Sequence, residues 1–465
     1  MRFGAVITYG ASDYQIFQQK DGFADITIGG FWHYDGKPAK PNFWPELAAA
    51  TANVSARVVE EATGRTVVGW TNSPHGESKD WEITLRVPAS DALYKIETRL
   101  EAKLTNGDFT HLRGDIIFHV GVGEVFIIAG QSNAAGAGRN PVYDEPQLGC
   151  HVFRNNGKWD VAVHPLCDST ESKHNDNTEI WNGFVSPWLA FAKELRRLIH
   201  RPIGLVQTSL GGSALANWNP EDGFLYENMK NIVADSGTTP SWVLWYQGCS
   251  DTNNSAYTYL DRFNDMVDSW RRDISPDMKF LTVQLNRLLT GTEQDFPYYA
   301  MIREAQRKAS HTRDGVYVIP STDAKTSDVI LNDASGCITI GERAARLIYG
   351  VMSGNTTGVL PIEATKAHLN ENTVTVEFTN LVGCLYTSDP VLERAPFTVM
   401  DGQDNIVKLT AYRLCGNKVE LDCESIPDGE LTVSAMWQTN PATYPIVDDT
   451  TIMPILSFYK MNVER

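Results

Sequence analysis

Five short, mostly apolar runs constrain the fold of this chain more than any other feature. They occupy residues 125–129, 203–206, 242–246, 280–285 and 316–319, the fourth carrying Thr282 and Gln284. Runs of this length and apolar content suit strands buried on both faces. Amphipathic segments lie between them. Ser186 followed by Pro187 marks a helix start, with a capping hydroxyl and a proline at the first helical position. After it Trp188, Phe191, Ala192, Leu195, Leu198 and Ile199 fall on one helical face, and Leu260, Phe263, Val267 and Trp270 do the same further on. The alternation predicts an α/β domain over residues 121–353, a parallel sheet with helices on both sides. In such a sheet a functional site lies beyond the C-terminal ends of the strands.

The flanks follow another period. Residues 54–60, 81–87 and 94–98 alternate apolar and polar, so residues 1–120 are expected to form an N-terminal β-sandwich-like domain. Strand patterning returns at 374–378, 397–400, 419–421 and 431–436, which predicts a C-terminal β-domain over 354–465, joined through the polar linker 354–358. A chain of 465 residues is long enough for two or three such domains.

Charge and cysteine content narrow the function classes. The formal net charge is −17, and no basic stripe is present to neutralise phosphates, which argues against a nucleic-acid partner. No apolar stretch reaches the length of a membrane span. The seven cysteines form no metal-ligand spacing, so free thiols and a cytoplasmic location are expected. Neither a metal nor a cofactor is expected. Gly136-Ala137-Gly138 lacks the lysine and the strand-to-loop context of a phosphate loop. No feature points to an oligomeric state.

Four segments that follow strands carry chemistry. Ser132, in Gly130-Gln131-Ser132-Asn133, sits where the first apolar run ends and a helix begins. Such a turn exposes a hydroxyl and offers backbone N–H groups to an oxyanion. In Leu210-Gly211-Gly212-Ser213 the paired glycines allow close backbone approach. Gln247, in Trp245-Tyr246-Gln247-Gly248, can offer an amide donor, and Asp328 lies in the loop after the last run. Taken singly, each is an ordinary turn feature.

Together, in this order, these segments resemble the sialate O-acetylesterase branch of the SGNH hydrolases. The matching pieces are residues 129–136, 210–213 and 245–248, Asp328 with Ile330, and Gly341-Glu342-Arg343. The resemblance implies a flavodoxin-like three-layer domain with a five-stranded parallel sheet, flanked by N- and C-terminal β-sandwich-like domains. It also implies Ser132 as nucleophile, Asp328 as the acid of a triad, and an oxyanion hole from Ser132, Gly211 or Gly212, and Gln247. The expected activity is hydrolysis of acetyl esters on a carbohydrate through an acyl-serine intermediate.

Two positions depart from the family pattern. Cys249 stands where glutamate usually follows the Gln-Gly pair, and Leu331 stands at the position of the triad histidine. The match from Asp328 to Arg343 has no gap, and no histidine lies between His311 and His368. Leucine can neither take the serine proton nor return it. His164, in the long segment after the nucleophile turn, is the candidate substitute base. The alternative function is a catalytically silent esterase homologue that binds carbohydrate or a partner protein.

Overall fold

The computed structural model describes residues 4–34, 49–74, 78–179, 183–292, 295–441 and 444–465. All five apolar runs are strands of one parallel array. Its order is Cys150–Phe153, Ile203–Gln207, the C-terminal half of Phe109–Gly130, Trp242–Tyr246, Lys279–Val283 and Val316–Ile319. The register sets Leu205 beside Phe126 and Leu244 beside Ile128. Among the described residues the parallel strands therefore number six rather than the expected five, and Trp159–Val161 adds an antiparallel edge. The sixth, Cys150–Phe153, escapes pattern reading because it is four residues long and carries His151. That imidazole is fully buried, with Nδ1 2.7 Å from Tyr14 O and Nε2 accepting from Gly149 N–H. Burial holds its pKa down at about 4, so the strand buries a neutral ring rather than a charge.

Among the described residues six helices connect or follow these strands: α1 (Ser132–Ala135), α2 (Pro187–Ile199), α3 (Phe224–Ser236), α4 (Tyr259–Asp273), α5 (Phe296–Thr312) and α6 (Ala334–Ser353). Ser186 caps α2 as its sequence predicts, accepting from Trp188 N–H, with Pro187 at the first position. Trp188, Phe191 and Leu195 are fully buried, each contributing about 1.5–3 kcal/mol. Leu198 and Ile199 are only half-buried, because α2 is ending where they lie.

The N-terminal strands form two antiparallel groups. Gly4–Tyr9, Phe23–His33 and Asp80–Pro88 make one. Ala49–Glu60, Thr66–Asn72 and Tyr94–Leu104 make the other, together with the first half of Phe109–Gly130. Trp81, Ile83, Leu85, Val54 and Ile96 share one core there, as the alternation predicts. The expected boundary at residue 120 falls inside a single strand of 22 residues, Phe109–Gly130, which serves both sheets. The residues after 362 build an eight-stranded array with its own core of Val374, Val376, Val419, Leu421 and Val433. It is tied to the central sheet through Arg303, whose guanidinium donates to the carbonyls of Leu285, Asn286, Met436, Gln438 and Thr439.

Candidate active site

The strand ending at Gly130 lies between the strands ending at Gln207 and Tyr246. The chain runs outward to one side of it and then to the other, so the loops after these three strands meet at one edge. Segments about eighty to one hundred and fifteen residues apart are thereby joined. Leu210 N–H and Ser213 Oγ both donate to Gly130 O, and Gln131 N–H donates to Tyr246 O. Gly130 has φ +123°, and a Cβ there would sit 2.3 Å from Tyr246 O, so this approach requires glycine.

Ser132 begins α1 and is half-buried. Its Oγ has no hydrogen-bond partner among the described residues. The residues on either side of it are anchored. Gln131 Oε1 accepts from Gly248 N–H and Ser250 N–H, and Asn133 Oδ1 accepts from Asn332 N–H at 3.0 Å. The second contact links the serine turn to the 326–332 loop. That loop is closed by Ser327 N–H to Leu331 O and by Asp328 Oδ1, which accepts from Ile330 N–H at 3.0 Å and Leu331 N–H at 2.8 Å. Asp328 is thus the anchor of the turn that carries Leu331. The cap of α6 is a different residue, Asp333, which accepts from Gly336 N–H.

Ser132 and Leu331 line the same pocket, together with Arg139, Glu179 and Phe184. The structure therefore brings the nucleophile candidate and the position expected to hold its base to one cavity, and puts an apolar side chain at that position.

The two glycines divide. Gly211 N–H is bonded to Glu179 Oε1 at 2.5 Å. Gly212, at φ +71°, has open space where a Cβ would point, and its N–H has no acceptor among the described residues. The N–H of Ser132 is likewise without an acceptor there. Both N–H groups are thus unengaged among the described residues, although Gly212 is not among those that line the Ser132 pocket.

Gln247 does not offer one. It is fully buried, and its amide nitrogen donates to Ser213 O at 3.1 Å and Asp251 Oδ2 at 2.7 Å, while its Oε1 accepts from Tyr259 O–H. With both amide hydrogens engaged, its place is in the scaffold that holds the Gly-Gly loop. Cys249 is no substitute nucleophile: burial raises its thiol to about 11, and Tyr299 O–H lies 3.7 Å from Sγ.

His164 is also placed elsewhere. Its Nε2 is 2.8 Å from Asp144 Oδ2 and its Nδ1 accepts from Ser186 N–H, so both ring nitrogens are held at the start of α2. It is not part of the wall of the Ser132 pocket. Burial pushes the Asp144 carboxyl up, but donation from His164 and Lys193 outweighs it and the net shift is downward. His164→Ala should accordingly leave any ester hydrolysis unchanged to within about twofold, since a base must reach the serine. It should lower the Tm, because Asp144 loses a partner. A rate that collapses in a folded His164→Ala protein would restore this residue to the site.

Sequence reasoning missed Glu179. It is 9% exposed, and burial raises its pKa, only partly opposed by the Gly211 N–H. No local pattern marks it, since it is a lone acidic residue in a loop whose importance arises only where that loop packs over Gly211. Among the described residues no group of three or more His, Cys, Asp or Glu side chains is arranged to hold a metal ion. No helix among them is long and apolar enough to cross a membrane.

Residues 122–349 match the family model described as carbohydrate esterase, sialic acid-specific acetylesterase. A probable carbohydrate esterase of Arabidopsis thaliana is 27% identical over 187 residues, 35% of this chain and 68% of that relative. The crystal structure of a carbohydrate acetylesterase from Xanthomonas citri superposes with a TM-score of 0.64 at 18% identity, covering 96% of this chain and 97% of the other. At that identity the likeness shows the fold, and it runs through the flanking β-strands as well as the central sheet.

Proposed function

We propose, from the membership of residues 122–349 in the carbohydrate esterases of the sialic acid-specific acetylesterase type, that this protein hydrolyses acetyl esters on a carbohydrate through an acyl-Ser132 intermediate. The observation that carries this reading is the unpartnered Ser132 hydroxyl in a pocket at the switch point of the parallel sheet. Ser132 Oγ attacks the acetyl carbonyl carbon. The N–H groups of Ser132 and Gly212 receive the charge that develops on the carbonyl oxygen. Asp328 acts at one remove, by holding the turn that presents residue 331. The substrate in this reading is an acetylated sugar. The unpaired state of all seven cysteines supports a reducing, cytoplasmic setting.

The test is direct. Incubation with a chromogenic acetyl ester and with acetylated sugars should yield acetate and a peptide acetylated at Ser132, seen by mass spectrometry after acid quench. Ser132→Ala should remove both signals. Hydrolysis that survives Ser132→Ala would sink the acyl-serine scheme.

A second reading, a silent homologue that binds acetylated sugar, is favoured by one observation: an apolar Leu331 where an imidazole is needed. Saturable binding of the acetylated sugar with no acetate released and no labelled serine would select it.

A further inference from the structure

Glu179 is the titratable group in the Ser132 pocket that the scheme above leaves idle. Of the described residues that line this pocket it is the sole carboxylate, and none is a histidine. Its backbone N–H donates to Ser169 Oγ at 2.7 Å, and its Oε1 accepts from Gly211 N–H. The carboxyl is thus fixed at the edge of the Gly-Gly loop. Oε2 has no hydrogen-bond partner among the described residues. A carboxyl group that is buried, held by one oxygen and unengaged at the other costs stability, and its retention calls for a reason.

We propose that Glu179 takes the role left vacant at residue 331 and accepts the proton of the Ser132 hydroxyl. This rests on the esterase reading. The Ser132 Oγ–H proton passes to Glu179 Oε2 as Oγ bonds to the acetyl carbonyl carbon. The same proton then moves to the sugar oxygen as the ester C–O bond breaks, which leaves acetyl-Ser132 and the free sugar hydroxyl. Water repeats the exchange: it gives a proton to Glu179, its oxygen bonds to the acyl carbon, and the proton returns to Ser132 Oγ as acetic acid leaves, to ionise in solution.

The surroundings suit a carboxyl asked to act as a base. Burial raises its proton affinity above that of an exposed glutamate, toward working pH. Among the described residues, the charged and titratable groups around it are Arg139 on the pocket wall and Cys167 and Asp168 on the 165–169 segment. Cys167 is itself pushed up to about 12, first by burial and then by the charge on Glu179, so it stays neutral and does not compete. A carboxyl is still a weaker base than imidazole, which implies slow turnover in the natural chain.

The wild-type protein provides the first readout. Its kcat/KM for a chromogenic acetyl ester should fall as pH drops through an acid limb set above the ordinary glutamate value of about 4.3. Glu179→Gln keeps an acceptor for Gly211 N–H and should lower kcat at least about tenfold, with the acid limb gone. Glu179→Ala should be slow and should regain rate on addition of formate, a rescue that a merely structural carboxyl does not show. Ser132-dependent hydrolysis with no acid limb in the wild type would overturn the proposal and leave the esterase reading standing. So would a folded Glu179→Gln variant at full or increased rate. No Ser132-dependent hydrolysis in the wild type would overturn both.

Discussion

Leu331→His raises acetyl-ester turnover by between about 10² and 10⁴, the range that positioned acid–base help supplies. The turn that carries residue 331 does not depend on its side chain. Leu331 N–H is held by Asp328 Oδ1, and Leu331 O accepts from Ser327 N–H, so an imidazole placed there inherits the same backbone. Leu331 is 8% exposed and lines the Ser132 pocket, which gives the new ring a position facing the serine. Asp328 Oδ2 has no partner among the described residues and is available to take the Nδ1 proton of the new histidine. That contact would select the tautomer with a free Nε2, the arrangement a serine triad needs. Burying an imidazole in place of leucine gives up about 1.5–3 kcal/mol of apolar burial, so Tm is expected to fall even as the rate rises. The acid limb of kcat/KM should move to the histidine range near pH 6.5. In the Glu179→Gln background the same substitution should restore turnover, since the imidazole makes the carboxyl unnecessary. A folded Leu331→His protein with an unchanged rate would show that this turn does not present its side chain to Ser132.

Arg303→Met destabilises the folded chain by about 3–5 kcal/mol, the scale for removing one member of a buried charged hydrogen-bond network. Arg303 is fully buried. Its nitrogens bond to carbonyls at two distant places, Leu285 and Asn286 at the end of one parallel strand, and Met436, Gln438 and Thr439 in the C-terminal array. Burial lowers its pKa to about 10, which still leaves it protonated at neutral pH. Methionine has similar bulk and no donors, so it fills the volume and strands the carbonyls. The readout is the urea midpoint together with hydrogen exchange at residues 436–439, which should lose protection first. A variant with unchanged midpoint and protection would mean that water satisfies these carbonyls at no cost. Gln284 reinforces the same junction, donating to Ser457 O and accepting from Ser457 N–H.

The catalytic consequences of the site were legible to very different degrees. Ser132, Gly212 and Asp328 follow apolar runs, and the rule that places parallel-sheet sites at strand ends brings their loops to one edge. Gln247 obeys the same rule and still fails as an oxyanion donor. Its neighbours Ser213 and Asp251 take both amide hydrogens, and nothing in Trp245-Tyr246-Gln247-Gly248 announces those partners. His164 reads as a positioned loop histidine and is one, but its ring is held by Asp144 and Ser186 and it is not among the residues that line the serine pocket.

What the sequence by itself determined is the set of buried strands, the start of α2 at Ser186-Pro187, the placement of a serine at the turn after the first apolar run, and the absence of imidazole at residue 331. All of these follow from local patterns: short, mostly apolar runs, a capping hydroxyl before proline, a glycine-bounded turn, a gap-free spacing. Only the tertiary structure decided that a sixth strand joins the sheet around a buried neutral His151, that one strand runs through the expected boundary at residue 120, and that Glu179 rather than His164 shares the serine's pocket. The reason is physical. Which acceptor a buried N–H finds, and which carboxyl loses its water, depends on groups brought together from positions far apart in the chain. Glu179 meets Gly211 across 32 residues, and Asn133 meets Asn332 across 199.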